Sequence, residues 1–264
     1  MVTIRSGTNA DIWVLETDRG IANRLTSGRG IHISPIWSPD GRTILFGFGA
    51  PFNLFRMSAD GSGSEERVTQ SPNRQTMYDW SHDGRFIIYQ ETAPNTGIDL
   101  WTLAVTPEGR PAPGSTPRPY LPVPFDQTQA RFSPDDRWVA YQSDESGQFE
   151  IYVQAFPEPH GKIPISNGGG TFPEWGPSGS ELYYVSKGSK LMSVKLKLAA
   201  NTLEAAPPHE LFPMPAGFAG ISPYEAARDG QRFLVGVTEN GNASDPLNVV
   251  VNWPSLLKTD AGTH

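Results

Sequence analysis

One five-residue phrase returns along this chain at a nearly fixed interval, and that recurrence constrains the fold more than any other feature. WSPDG at residues 37–41 comes back as WSHDG at 80–84, FSPDD at 132–136, WGPSG at 175–179 and, in worn form, AARDG at 226–230. Counted between first residues, the intervals are 43, 52, 43 and 51. A period of that size, with several short strands in each unit, is the signature of an all-β β-propeller built from four-stranded antiparallel blades. One blade alone cannot bury both of its faces, so repetition itself creates the core.

Each unit has the same order of parts. An aromatic precedes the turn and a short strand follows it, at 43–47, 85–90, 138–143, 181–185 and 232–237. A second strand then opens on an acidic or amide residue: DIWVLE from Asp11, NLFRMS from Asn53, DLWTLA from Asp99 and EIYVQAF from Glu150. A final short segment closes the unit, as in 23–28 and 66–71. In the turn, Pro39 presets φ, Asp40 can bond its own backbone and Gly41 accepts positive φ. Trp37, Trp80 and Trp175 are expected to fill the wedges between neighbouring blades near the hub.

The chain opens mid-repeat, on what read as the third and fourth strands of a blade at 11–28, and four whole units follow before a last turn with two more strands. This predicts about five to six blades, the first incomplete, in one domain over residues 1–264, and favours a piece of a larger propeller. The proline-rich run 107–124 falls inside a unit and reads as a long loop plus a last strand. With 27 Gly and 25 Pro spread along the chain, helices of about 10 or more residues are not expected.

Net charge is −7, with acids and bases mixed, which argues against a nucleic-acid platform and its basic stripe. No stretch approaches the length of an apolar membrane span, and the N-terminus lacks the apolar core of a signal peptide. The absence of cysteine excludes disulfides and thiolate chemistry.

The WSPDG turn followed by a [DE]-[IL]-[WY] strand resembles the TolB-like propeller repeats. Residues 130–157 and 166–186, together with DGQRFLVGV at 229–237 and LNVVVNWPSLLK at 247–258, are similar to the propellers found C-terminal to bacterial serine/threonine protein kinases. The chain carries no glycine-rich loop with its lysine strand, no HRD and no DFG, so kinase activity does not come with the resemblance. What it implies is an interaction or sensing module with WD40-like (PD40) repeats, and an extracytoplasmic, periplasmic setting.

Catalytic motifs are sparse. No G-x-S-x-G is present: GSGS at 61–64 misses the spacing and reads as a turn. Propellers also cap prolyl oligopeptidase-like hydrolases, but the repeat leaves no sequence here for an α/β hydrolase domain. The five histidines (His32, His82, His160, His209, His264) show no paired spacing, and His82 takes the place of Pro39 in its turn. Asp144 and Glu145 in SDESG read as a solvated turn before they read as a calcium site. The expectation is therefore no metal and no cofactor. A sequon at 242–244 carries little weight in a bacterial setting.

Aligning the units gives a more useful constellation. The residue before each turn aromatic is Ile36, Asp79, Arg131, Glu174 and Glu225, a register that places four charged residues around one ring in the channel. A rim of loops would add Arg74, Gln75, Tyr78, Gln129, Phe172, Phe218 and Tyr224, rich in the aromatics and arginine that dominate binding hot spots. The reading is a non-enzymatic binding or sensory propeller that takes a protein, peptide or small polar ligand on its loop face or channel mouth. The alternative is a glycan-acting lyase or hydrolase whose paired carboxylates, Glu174 with Glu225 or Asp79, do acid–base work. A third reading has open edge strands at 11–17 and 247–253 joining edge to edge in self-association.

Overall fold

The computed structural model describes residues 2–6, 8–16, 19, 21–94, 97–198, 202–218, 222–227, 230, 232–238 and 247–250. All its regular elements are strands, and they form six antiparallel sheets. Blade I is β1 (Val2–Ser6), β2 (Asn9–Glu16) and β3 (Ile21–Arg24). Blade II is β4 (Ile33–Trp37), β5 (Thr43–Phe48), β6 (Asn53–Ser58) and β7 (Glu66–Arg67). Blade III is β8 (Arg74–Trp80), β9 (Phe86–Ala93), β10 (Gly97–Ala104) and β11 (Arg118–Pro119), the last strand lying in the proline-rich run.

Blade IV is β12 (Gln127–Phe132), β13 (Trp138–Ser143), β14 (Glu150–Ala155) and β15 (Ile163–Pro164). Blade V is β16 (Gly170–Trp175), β17 (Glu181–Ser186), β18 (Lys190–Leu198) and β19 (Leu203–Ala205), with β20 (His209–Pro213) also paired to β18. Blade VI is β21 (Tyr224–Ala226), β22 (Phe233–Thr238) and β23 (Leu247–Val250). The inner strands β4, β8, β12, β16 and β21 pack against one another in succession, which makes the fold a β-propeller with a first blade of three strands.

The first blade differs from the reading of the sequence. β1 pairs with β2 from Val2↔Trp13 to Ser6↔Asn9, so residues 11–16 run through the middle of a sheet and are not an open edge. The signal was missed because β1 precedes the first recognisable repeat phrase. Thr17 and residues 251–253 of the two supposed edges lie outside the described residues, as do His264, the sequon and residues 228 and 229 of the last turn.

The core lies between blades, one cluster to each junction. Strand alternation feeds both sides: Ile87 and Tyr89 face blade II, while Ile88 between them faces blade IV. Trp80 closes the junction of blades II and III, Phe132 that of III and IV, and Trp175 that of IV and V. Trp37 does not follow them. It is 39% exposed against 4% for Trp80, because blade I, among the described residues, sets no inner strand in front of it.

The turns hold together through their serine. Ser38 Oγ donates to Asp40 (2.6 Å) and accepts from the Thr43 N–H (2.9 Å). Ser81 and Ser133 repeat this with Asp83 and Phe86, and with Asp135 and Trp138. In the fourth turn Gly176 replaces the serine; the backbone bonds from Gly176 to Glu181 and from Gly179 to Gly176 remain, with Ser178 bonded to Ser180, but the bonds through the serine hydroxyl are gone.

A second recurring joint sits at the opposite end of the blades. The N–H groups of Ile12, Leu54 and Ile151 bond Thr26, Thr69 and Ser166, hydroxyls that follow the fourth strands. Thr26 then reaches Asp11, Thr69 reaches Gln75, and Ser166 reaches Glu150. His32 belongs to this joint: its ring bonds the Ala10 carbonyl (3.0 Å) and Glu65 (2.9 Å) and is fully buried.

Candidate binding site at the channel mouth

Strand period and bulge together aim the ring residues. On β4, β12 and β16 the pairing to the second strand slips just ahead of Ile36, Arg131 and Glu174. The residues Ser34, Gln129 and Phe172 absorb the slip with φ of 51°, 56° and 56°. A non-glycine residue in that region is uncommon and costs about 1 kcal/mol, and bulges of this kind re-aim neighbouring side chains. β8 carries a related slip between Met77 and Asp79.

The result gathers the predicted charges. Arg131 is the hub: its Nε donates to Glu174 Oε2 (3.1 Å). One Nη donates to the Tyr78 carbonyl on blade III (2.7 Å) and, more weakly, to Ala130 (3.2 Å). The other donates to the Ser222 hydroxyl ahead of blade VI. One guanidinium thus spans four blades. Its side chain is 15% exposed and that of Glu174 23%, so both are held by protein yet open on one side.

Asp79 is committed elsewhere. Its two oxygens accept the backbone N–H groups of Trp80 (2.9 Å) and Phe132 (2.8 Å), tying blade III to blade IV. Glu174 keeps one oxygen, Oε1, that accepts no hydrogen bond among the described residues, and Glu225 is exposed. The carboxylates available to a ligand are therefore Glu174 and Glu225.

Electrostatics follow from three acids facing one base. Burial opposes charge on Arg131, but Glu174, Asp79 and Glu225 outweigh it and hold the guanidinium above its ordinary value. Burial raises Asp79 against the pull of Arg131. Burial also pushes Glu174 up to about 7; Arg131 works against this, and Glu225 and Asp79 add to it.

The rim expected from the sequence does not form as one surface. Tyr78 and Tyr224 are buried, because a residue two before the turn aromatic points the other way from the ring residue, into the blade junction. Burial pushes Tyr78 up to about 12, and the Tyr224 hydroxyl donates to the Phe172 carbonyl. Gln75 is buried too, bonded to Glu91. Phe172 and Phe218 pack against the blade V–VI core. Arg74 is exposed at the far end of β8, over the Phe52 ring.

The other motifs resolve locally. Asp144 caps the Asp126 N–H and Glu145 pairs with Lys162. Among the described residues no three His, Asp or Glu side chains gather as a metal site, and no helix is long and apolar enough to cross a membrane.

Comparison with solved structures now bears on the fold. The putative TolB from Agrobacterium tumefaciens superposes with a TM-score of 0.61 at 15% identity over 87% of this chain and 83% of that one. TolB from Acinetobacter baumannii gives 0.58 at 16%, over 91% of this chain and 59% of that one. The chain has a β-propeller fold similar to that of TolB. The likeness carries the fold and not the kinase-linked setting.

No protein-family profile matches the chain. Two curated relatives match short stretches. Uncharacterized protein Atu1656 of Agrobacterium fabrum is 41% identical over 63 residues, 23% of this chain and 21% of the relative. Uncharacterized peptidase YuxL of Bacillus subtilis is 35% identical over 82 residues, 30% of this chain and 12% of the relative. The chain thus spans only about a fifth or less of the length of these relatives.

Enzymes share the fold as well. An oligogalacturonate lyase in complex with manganese superposes at 0.60 with 18% identity, over 90% of this chain and 66% of that one. A periplasmic gluconolactonase from Pseudomonas aeruginosa and a puromycin-hydrolyzing peptidase from Mycobacterium tuberculosis also superpose. With a relative named a peptidase, these overturn the expectation of a non-enzymatic module. A propeller can assemble a site from strand ends of several blades, which leaves no contiguous motif in the sequence.

Proposed function

We propose that this TolB-like propeller binds a small polar ligand at the channel mouth, recognised by Arg131, Glu174 and Glu225, with Asp79 holding the frame. The supporting observation is the Arg131 guanidinium, which bonds groups from three other blades while Glu174 keeps a free oxygen beside it. A lining with three acids and one base favours ligands that carry amines or hydroxyls. The test is thermal-shift and calorimetric titration with amino sugars, amino acids and short peptides, on the native chain and on E174Q and E225Q. Binding that survives both substitutions unchanged removes the site.

A second reading is favoured by one observation. Glu174, raised to about 7, can give or take a proton near neutral pH, as a general acid must. In that reading the ring acts on a glycan or related ester, the class to which the oligogalacturonate lyase and gluconolactonase neighbours belong by name. Turnover with a limb near neutral pH that disappears in E174Q supports it; turnover indifferent to E174Q sinks it. The periplasmic gluconolactonase neighbour makes a periplasmic location part of the proposal.

A further inference from the structure

At the other end of the inner strands lies a cleft of about 600 Å³. It is lined by Arg29, Gly30 and Ile31 ahead of β4, by the β5–β6 loop from Phe48 to Phe52, and by Arg74 at the start of β8. Its charge is unusual for a chain of net −7. Two arginines line it and no acid does. Among the described residues Arg19, Arg24, Arg56, Arg85, Arg110, Arg131 and Arg137 have carboxylate partners, while the exposed Arg42 and Arg118 form no ion pair and do not line this cleft. Arg29 and Arg74 are exposed, and neither guanidinium forms a hydrogen bond or ion pair among the described residues.

The apolar wall between them is built in advance. Phe48 stacks on the buried His32 ring at 4.4 Å and meets Phe55 edge-on at 5.4 Å. Phe52 lies under Arg74, with the guanidinium carbon 5.0 Å from the ring centroid. Gly30 keeps the floor open. With φ of 134°, an added Cβ there would come within 2.6 Å of the Phe48 ring.

We infer that this cleft is an anion-binding site for a small ligand joining a carboxylate or phosphate to a flat apolar body. Guanidinium forks match planar oxyanions with paired hydrogen bonds, and two of them line this cleft. The fixed Phe48 and Phe52 rings supply the contact for the apolar part. The site is separate from the channel mouth, from which β8 divides it along its length, so the two readings stand or fall apart.

The test is a titration of the whole chain with benzoate and with phenyl phosphate, followed through the Nε–Hε NMR signals of Arg29 and Arg74. Benzamide, which keeps the ring without the charge, and acetate, which keeps the charge without the ring, are the controls. Saturable shifts at both arginines with a charged aromatic probe are expected, with benzamide inert and acetate about tenfold weaker or more. R29Q and R74Q should each weaken binding about tenfold, and G30A should abolish it while E174Q leaves it unchanged. If R29Q/R74Q, shown folded by an unchanged melting profile, binds the probes as well as the native chain, the inference is wrong. It is equally wrong if benzamide competes on equal terms or no shift saturates. Which of the two charged probes binds tighter distinguishes a carboxylate ligand from a phosphorylated one.

Discussion

Asp136, in the turn of blade IV, accepts the backbone N–H groups of His82 and Asp83 from the turn of blade III, each at 2.8 Å, and also faces the His82 ring at 3.2 Å. It occupies the position held by Gly41, Gly84 and Gly179 in other turns and keeps the left-handed backbone with φ of 57°. The chain therefore accepts a conformational cost at Asp136 and gains a latch between blades.

Two opposing terms set the effect of D136G. Glycine relieves about 1 kcal/mol of left-handed strain, while each lost hydrogen bond costs about 0.5–1.5 kcal/mol. The expected outcome is a net loss of about 1 kcal/mol, read by denaturant unfolding. The hydrogen bond to Asp136 also raises the His82 pKa, against the effect of burial and with help from Asp79 and Glu174. A group whose folded pKa is raised contributes stability that is whole below its unfolded value of about 6.5 and is lost as pH rises through the folded one. D136N should therefore destabilise more in mildly acid solution than in mildly alkaline solution. An effect that grows with pH would contradict the latch.

The hub aromatics should separate sharply. Trp80 is 4% exposed and wedged against Leu45 and Leu54 of blade II, and its indole N–H donates to the Gly84 carbonyl. W80A should cost about 3–5 kcal/mol. Trp37, exposed at 39%, should cost under about 1 kcal/mol as W37A. Equal losses from urea melts of the two variants would mean that Trp37 is covered in solution.

The sequence revealed what is local or periodic, and its silence has physical causes. The turn at Trp37–Gly41 reads directly because its chemistry lies within five residues. The ring of Asp79, Arg131 and Glu174 reads because a fixed period puts equivalent positions on equivalent strands. Tyr78 and Tyr224 misled because a one-residue step reverses the face, so a neighbour of a channel residue is a core residue. His32 was opaque because its partners, Ala10 and Glu65, lie 22 and 33 residues away. The cleft by Arg29 was invisible for the same reason: the segment ahead of β4, the β5–β6 loop and the start of β8 come together to make it.

Ser133 offers a test of what holds the turns. Fully buried, it donates to Asp135 at 2.6 Å and accepts from the Trp138 N–H at 3.0 Å. S133A strands that N–H away from water and should cost about 1–3 kcal/mol. Ser178, exposed in the fourth turn, where Gly176 stands in place of the buried serine, should tolerate S178A within about 0.5 kcal/mol. Parallel thermal melts decide between this and a turn held by backbone bonds alone, for which the two substitutions would match.

Glu174 carries the last prediction, because its sign is easy to get backwards. Burial raises its folded pKa to about 7, from about 4.5 in the unfolded chain. Below the lower value both states are protonated and Glu174 is neutral in its effect. Between the two values the unfolded chain ionises first, so stability falls as pH rises, and the penalty is complete above about 7. E174Q should flatten this part of the stability–pH curve, leaving the variant less handicapped above neutrality than at mildly acid pH. R131Q should do the reverse. It leaves Asp79, Glu174 and Glu225 without their cation, so Glu174 should titrate above its native value and the fold should lose about 3–5 kcal/mol. Carboxyl-carbon NMR of Glu174 reads both effects. A native midpoint in the ordinary carboxylate range would show that Arg131 and solvent overcome the burial, and would take the acid–base reading of this channel with it.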